Sequence, residues 1–433
     1  MKYLINLFSP CVLFFSLVIF SYTFYKSEIY FMSNKFDYYL IYYIFSLILF
    51  FFSIFSFFFS KKTKEYLIII IISVLACLYT YEFFLISRDN LAYKEKIYEK
   101  ITKKKFDKRS LYGIYSDLNK IEKFVVSIRP SFYLKKNKQL FPLSGISKSK
   151  TILCNENGYY AIFNSDRFGF NNNDNEWDSN KFEYLLIGDS FTIGECVNRE
   201  DNLASVLKRL SNKTVINLGQ GGNGPLINYA TLKEYITPNT NKVLWIHYEG
   251  NDISELKKEI KNKFLNKYLN EKNFFQNLKK RQDEIDILHN EILISKNKKI
   301  KKFNLNYKEF FKLNLTRLTI CSNIIPGCNP HKNHPTEFKK ILILADKLAK
   351  ENKSEFYFVY LPGYFRYKNK NDYGYNEIKK IVSDLNINFI DMHKDLFLKT
   401  DDPLSFFPFR LNGHYTVEGY KKIAKEIYKA TSN

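Results

Sequence analysis

Long uncharged apolar runs dominate the start of the chain, and short apolar runs alternating with amphipathic stretches dominate its second half. Residues 3–25 (YLINLFSPCVLFFSLVIFSYTFY) and 38–60 (YYLIYYIFSLILFFFSIFSFFFS) contain no charge, and residues 66–81 (YLIIIIISVLACLYTY) continue past Glu82 to Ile86. Each run approaches the roughly 20 residues that a helix needs to cross a hydrocarbon core of about 30 Å. The pattern predicts three transmembrane helices and a membrane domain over residues 1–87. The first run lacks a strong basic start and a small-residue cleavage site, so it reads as a span and not as a removable signal.

Residues 88–180 read as a charged, mostly helical collar followed by loops and short strands, a juxtamembrane linker and accessory segment. From Phe182 the rhythm changes. YLLIGDSF is a short apolar strand, LASVLKRL a helix, TVINLG a strand, LINYATLKEYI a helix and KVLWIHYEG a strand. Further on, EFYFVYLPG and INFIDMH read as strands, with helices at YNEIKKIVSDL and, last, VEGYKKIAKEIYKA. Strands without polar alternation, separated by helices, predict a mainly parallel sheet covered on both faces, an α/β domain over residues 181–433. A Lys- and Glu-rich helical stretch at about 254–318 interrupts the rhythm and reads as an insertion, either a solvated hairpin or a lid or docking arm.

Charge then settles orientation. The link KKTKE at 61–65 holds three lysines, whereas the link from Lys26 to Asp37 balances two lysines with two acids. The Lys-rich link belongs inside. Everything after about residue 87 is therefore expected outside the cytoplasm, as a multi-pass protein of a bacterial inner membrane. The excess of 66 Lys and Arg over 44 Asp and Glu would suggest a nucleic-acid partner. The basic residues are nearly all Lys and are spread along the chain, so no nucleic acid is expected. Almost no charge falls inside the spans, which argues against a transporter. Cys11 and Cys77 lie in the spans, Cys321 and Cys328 bracket a loop that a disulfide could close, and Cys154 and Cys196 have no evident partner. No cofactor or metal is expected; the stretch HKNH at His331–His334 reads as a loop.

Three strand ends carry chemistry, and strand ends converge at one edge of a parallel sheet. Gly188-Asp189-Ser190 follows YLLI and presents a serine hydroxyl at a helix start; such a hydroxyl needs a base to become a nucleophile. Asn217 to Pro225, rich in glycine, can aim backbone N–H groups at a developing negative charge. Asn251, after Glu249 and Gly250, can add a side-chain amide. The base is sought in Asn412-Gly413-His414, just before the last helix.

In that order these blocks resemble the SGNH (GDSL-like) hydrolase superfamily of esterases, lipases and O-acetyl-transferring enzymes. The resemblance covers about residues 182–260 and 340–430 and implies a three-layer α/β/α SGNH-hydrolase-like domain after the three transmembrane helices. It assigns Ser190 as nucleophile, Gly222 and Asn251 as oxyanion donors and His414 as base. Two positions depart from the family pattern: Glu249 replaces a glycine, and Leu411 and Asn412 stand where an Asp normally precedes the histidine. Asn412 can hold the imidazole by a hydrogen bond in place of that Asp, or a backbone carbonyl can orient Nδ1, with Asp189 bracing the turn and Asp391 as a distant alternative. The resemblance implies a membrane-anchored serine esterase or O-acyltransferase acting on an ester-bearing cell-surface glycan or another small acyl ester. A transferase of this build would need a multi-spanning partner to deliver its acyl donor. A catalytically silent glycan-binding or assembly scaffold is the alternative.

Overall fold

Strand β4 (Phe182–Ile187) is buried along its whole length, and alternate residues face opposite cores. Leu185 and Ile187 join one hydrophobic cluster, while Tyr184 and Leu186 join the other. A strand buried on both faces has no reason to alternate apolar with polar, which explains the continuous run in the sequence. The structure, a computed structural model, describes residues 2–30, 36–88, 91–136, 139–299, 310–323, 336–369 and 374–432. The loop between Cys321 and Cys328 and the His331–His334 stretch lie outside the described residues.

The chain divides into two compact units, Met1–Arg88 with Asn304–Pro330, and Asp89–Phe303 with His331–Asn433. In the first unit the helices Lys2–Phe24, Phe36–Ser56 and Lys61–Arg88 are long and apolar enough to cross a membrane. A further helix, Asn314–Asn323, packs on the third of them. Glu82 is 1% exposed and accepts hydrogen bonds from the backbone N–H groups of Leu315 (3.1 Å) and Thr316 (2.7 Å) and from the Thr316 hydroxyl (2.7 Å). The first N–H groups of a helix have no partner within it, so a carboxylate there satisfies them.

Among the described residues, the second unit has eight strands. Three short ones, β1 (Phe124–Val126), β2 (Lys150–Ile152) and β3 (Ile162–Asn164), form a small sheet in which β1 pairs parallel and β3 antiparallel with β2. With β4, the strands β5 (Val215–Asn217), β6 (Thr240–Tyr248), β7 (Glu355–Leu361) and β8 (Asn388–Asp391) form a wholly parallel sheet in the order β5-β4-β6-β7-β8. Helices Leu203–Ser211 and Val417–Thr431 cover one face through Leu203, Leu207, Ile423 and Ile427. Helices Pro225–Tyr235, Thr336–Glu351 and Tyr375–Asp384 cover the other. Three layers result.

The Lys- and Glu-rich stretch after Ser254 is divided between the units. Up to residue 293 its apolar positions, Leu265, Tyr268, Leu278, Ile285 and Ile292 among them, enter the larger core. Residues 310–323 belong to the membrane unit. The segment before β4 is equally integrated: Val125, Tyr133, Phe141 and Leu143 share that larger core, and Tyr133 hydrogen-bonds His289 at 3.1 Å.

Glu249 ties the loop after β7 to the end of β6. It is fully buried and accepts from the Gly363 N–H (2.6 Å), from Arg366 Nη2 (2.6 Å) and from the Tyr360 hydroxyl. Tyr360 and the nearby Tyr364 are core residues, while Phe365 beside them is exposed. Removing one partner of such a pair strands a buried charge. Arg366→Ala is expected to lower unfolding stability by about 3–5 kcal/mol, and Arg366→Leu with Glu249→Leu by less, as read from denaturant melts of the detergent-solubilised chain.

Candidate active site

Strand β4 ends at Ile187, and the chain turns sharply into a one-turn helix, Ser190–Ile193. The turn is tight: a Cβ on Gly188 would lie 2.1 Å from Thr192 Oγ1 and 2.7 Å from the Ile246 carbonyl. Asp189 caps the turn, its Oδ1 accepting from the Phe191 N–H at 2.9 Å. Burial and then the neighbouring Asp252 push the Asp189 carboxyl up to about 7, against the opposing pull of the Phe191 N–H, His414 and an Asn251 hydrogen bond.

The Ser190 hydroxyl lies 2.9 Å from Nε2 of His414. That histidine sits in the loop before the last helix, which starts on a Thr416 cap, and its ring rests on Phe191 at 4.8 Å between centroids. The other ring nitrogen, Nδ1, is 3.1 Å from both carboxylate oxygens of Glu156, and Glu156 also accepts the His414 backbone N–H at 2.6 Å. A carboxylate only accepts, so in the neutral ring the proton sits on Nδ1 and Nε2 is left to accept from the serine, while the charged ring carries a proton on both nitrogens. Gly413 makes room for this contact, since a Cβ there would stand 2.7 Å from a Glu156 oxygen.

Asn412 does not hold the imidazole. Its side chain is exposed, and the acceptor at Nδ1 comes from 258 residues earlier. Asp391 is also elsewhere: it caps a short helix through the Lys394 N–H and takes the Tyr375 hydroxyl. Glu156 occupies the tip of the β2–β3 hairpin. The tip is fastened by a disulfide between Cys154 and Cys196, by Asn157 Nδ2 donating to the Cys196 carbonyl (2.9 Å) and by Asn155 Nδ2 donating to the Asp107 carbonyl (2.7 Å). The sequence holds both cysteines, but only the structure shows their pairing. That pairing brings residue 156 beside the turn that bears Ser190.

A second carboxylate, also missed from sequence, faces the reacting side of the ring. Glu195 is buried; one oxygen accepts from Arg129 Nη2 at 2.6 Å, and the other lies 3.8 Å from His414 Nε2 with no hydrogen bond of its own. Burial works against a charged ring at His414, but Glu156, then Glu195 and Asp189, outweigh it and raise the ring to about 9. Burial likewise opposes the Glu156 charge, and the His414 charge and hydrogen bonds overcome it, so that carboxyl lies below its ordinary value.

The glycine-rich loop after β5 locks onto the serine turn. Asn217 donates to the Thr192 carbonyl at 2.7 Å and accepts the Gly219 N–H at 2.9 Å. Gly219 allows backbone contact, because a Cβ there would be 2.5 Å from the Ile193 nitrogen. Gly222 takes a left-handed conformation, φ +72°, favoured by glycine. Asn251 begins the helix Asp252–Glu259 at the end of β6, and its amide reaches Asp189. The five residues singled out in the sequence thus split: Ser190 and His414 are bonded, Gly222 and Asn251 stand on the neighbouring strand ends, and Asn412 lies apart.

Glu156, Cys196 and His414 offer ligand atoms within 4.8 Å of one another. The Cys196 sulfur is bonded to Cys154, so it is no thiolate, and the set does not fit a metal ion.

No protein-family model matches the chain, and no curated protein matches it. Solved structures resemble it at low identity. A G-D-S-L-family protein from Desulfitobacterium hafniense DCB-2 is 15% identical, over 58% of this chain and 99% of that one, with a TM-score of 0.33. A member of the lipolytic protein G-D-S-L family from Veillonella parvula DSM 2008 is 14% identical with the same coverage and TM-score. The psychrotrophic esterase EstA from a Pseudoalteromonas species is 11% identical, over 58% of this chain and 96% of that one, at a TM-score of 0.29.

The raised His414 value has a sign that can be checked. Folding favours the charged ring, so its stabilising contribution is complete below the ordinary value near 6.5 and is lost as pH rises through about 9. In histidine-labelled protein the His414 resonance is expected to titrate near pH 9, and Glu156→Gln is expected to lower that midpoint by at least about one unit.

Proposed function

We propose that the chain is a membrane-anchored serine esterase or O-acyltransferase. Its substrate on this reading is an ester, an O-acetyl group of a cell-surface glycan, and the reacting domain works outside the cytoplasm of a bacterial inner membrane. The observation that carries the reading is the continuous line from Glu156 through His414 to Ser190, with contacts of 3.1 and 2.9 Å. The scaffold alternative rested on Asn412 as a poor replacement for an acid. With Glu156 at Nδ1 that ground is removed.

The Glu156–His414–Ser190 contacts support acyl transfer in two steps. His414 Nε2 takes the Ser190 proton as Oγ attacks the ester carbonyl, and the imidazolium is held by Glu156. Backbone N–H groups of Ser190 and Gly222, with the Asn251 amide, are suited to receive the negative charge on the carbonyl oxygen. His414 then protonates the leaving alcohol, and water or a sugar hydroxyl releases the acyl group from Ser190. Hydrolysis and transfer differ only in that last acceptor. A transferase would draw its acyl group from a multi-spanning partner, and the membrane unit is the natural docking place for one. The Cys154–Cys196 disulfide and the Lys-rich link at 61–65 both favour an extracytoplasmic domain.

Release of 4-nitrophenol from its acetate ester by the full chain in detergent tests the reading. Ser190→Ala and His414→Ala are each expected to abolish turnover, Glu156→Gln to lower kcat by roughly 10³- to 10⁴-fold, and Asn412→Asp to give no gain. Only the uncharged ring can take the serine proton, so kcat/KM is expected to climb with pH up to about 9, the His414 value. Turnover that survives Ser190→Ala would overturn the proposal.

A further inference from the structure

The hairpin that carries Glu156 lies outside the parallel sheet, and its strands are only three residues long. Its tip has two attachments toward the serine, the disulfide and the Asn157 hydrogen bond, and both end on Cys196. Cys196 directly follows Glu195 and has a left-handed backbone, φ +67°. A residue with a Cβ adopts that conformation when its surroundings hold it there. Its sulfur also lies 3.9 Å from His414 Nδ1. The two carboxylates that flank the ring, Glu156 and Glu195, are thus each within two residues of a half-cystine of one crosslink.

We propose that Cys154 and Cys196 are positioning residues whose disulfide presents Glu156 to His414, so that turnover at Ser190 requires the oxidised chain. The inference rests on the Ser190–His414 reading above. A dithiol reductant supplies two electrons and two protons: the Cys154–Cys196 bond breaks, each sulfur becomes a thiol, and the reductant closes into its own cyclic disulfide. The Cys196 backbone then relaxes, the Asn157 contact goes with it, and Glu156 leaves the ring.

Among the described residues, the groups acting on His414 are Glu156 from the hairpin, itself under the pull of Lys94, Glu195 from the serine turn with Arg129 behind it, and Asp189 from the end of β4 with Asp252 beside it. The buried Tyr420 hydroxyl lies in the field of the same three carboxylates. With Glu156 gone, Glu195 and Asp189 alone favour the imidazolium. The ring then loses its proton at lower pH while the rate on the plateau falls.

The test uses the folded full chain in detergent, oxidised or treated with dithiothreitol, with alkylation and mass spectrometry to verify that residues 154 and 196 are reduced. Reduction, and separately Cys154→Ser with Cys196→Ser, are expected to lower kcat for 4-nitrophenyl acetate by about 100-fold or more, leave KM within about threefold, and move the pH inflection down by about one unit. In Glu156→Gln, reduction is expected to cause no further loss, because both changes remove the same contact. Unchanged kcat and inflection after verified reduction would overturn the proposal. So would an equal fold-loss on reduction in wild type and Glu156→Gln, which would mean that the crosslink acts through general stability. The His414 NMR titration gives a readout that needs no turnover. If the oxidised chain lacks Ser190-dependent hydrolysis, the functional reading fails, while a His414 midpoint that drops on reduction still supports the crosslink's role and an unmoved one sinks it.

Discussion

Glu156 grips His414 twice, through the ring nitrogen and through the backbone N–H, and the rest of the site is arranged around that grip. An imidazole free to turn about its side-chain bonds presents Nε2 in many directions. Held at Nδ1 by a carboxylate, it presents Nε2 to Ser190. The contact makes demands in turn. Residue 413 must lack a Cβ, the hairpin tip must reach across to the end of the parallel sheet, and a crosslink must keep it there. Segments far apart in sequence therefore meet at one place, and the hairpin that carries Glu156 belongs to the stretch read in sequence as a linker.

Much of this architecture is legible in the chain because it is local. Strand β4 announces itself by an apolar run with no alternation, and Gly188-Asp189-Ser190 by the tightness of the turn that must follow. Glu156 leaves no such trace. It stands in a polar turn, Asn155-Glu156-Asn157, that reads as any loop would, and its partner is 258 residues away. The physical requirement for an acceptor at Nδ1 was sound, but looking two residues back along the chain led to Asn412. The stretch after Ser254 misleads for a different reason. Its lysines and glutamates hide apolar positions such as Leu265, Tyr268 and Ile285, which are completely or almost completely buried. Composition reports the solvated face of a helix, not the face that packs.

Glu249 illustrates how a buried acid can organise a loop. A glycine there would leave the loop after β7 to find its own position. The carboxylate instead gathers the Gly363 N–H, Arg366 and Tyr360 around itself, and each donor answers part of the cost of burying a charge. The result is a fixed polar knot beside the strand end that carries Asn251.

Glu82 has a consequence for how the protein is made. Its three hydrogen-bond donors lie in the helix that begins at Asn314, with Thr316 separated from it by 234 residues. At synthesis rates of about 5–20 residues per second, roughly 10 to 50 s pass between the emergence of the third span and that of its partner. During that interval the span holds an acid with none of its final donors. The first unit cannot be finished before most of the second has been synthesised, so it does not form in order from the N-terminus.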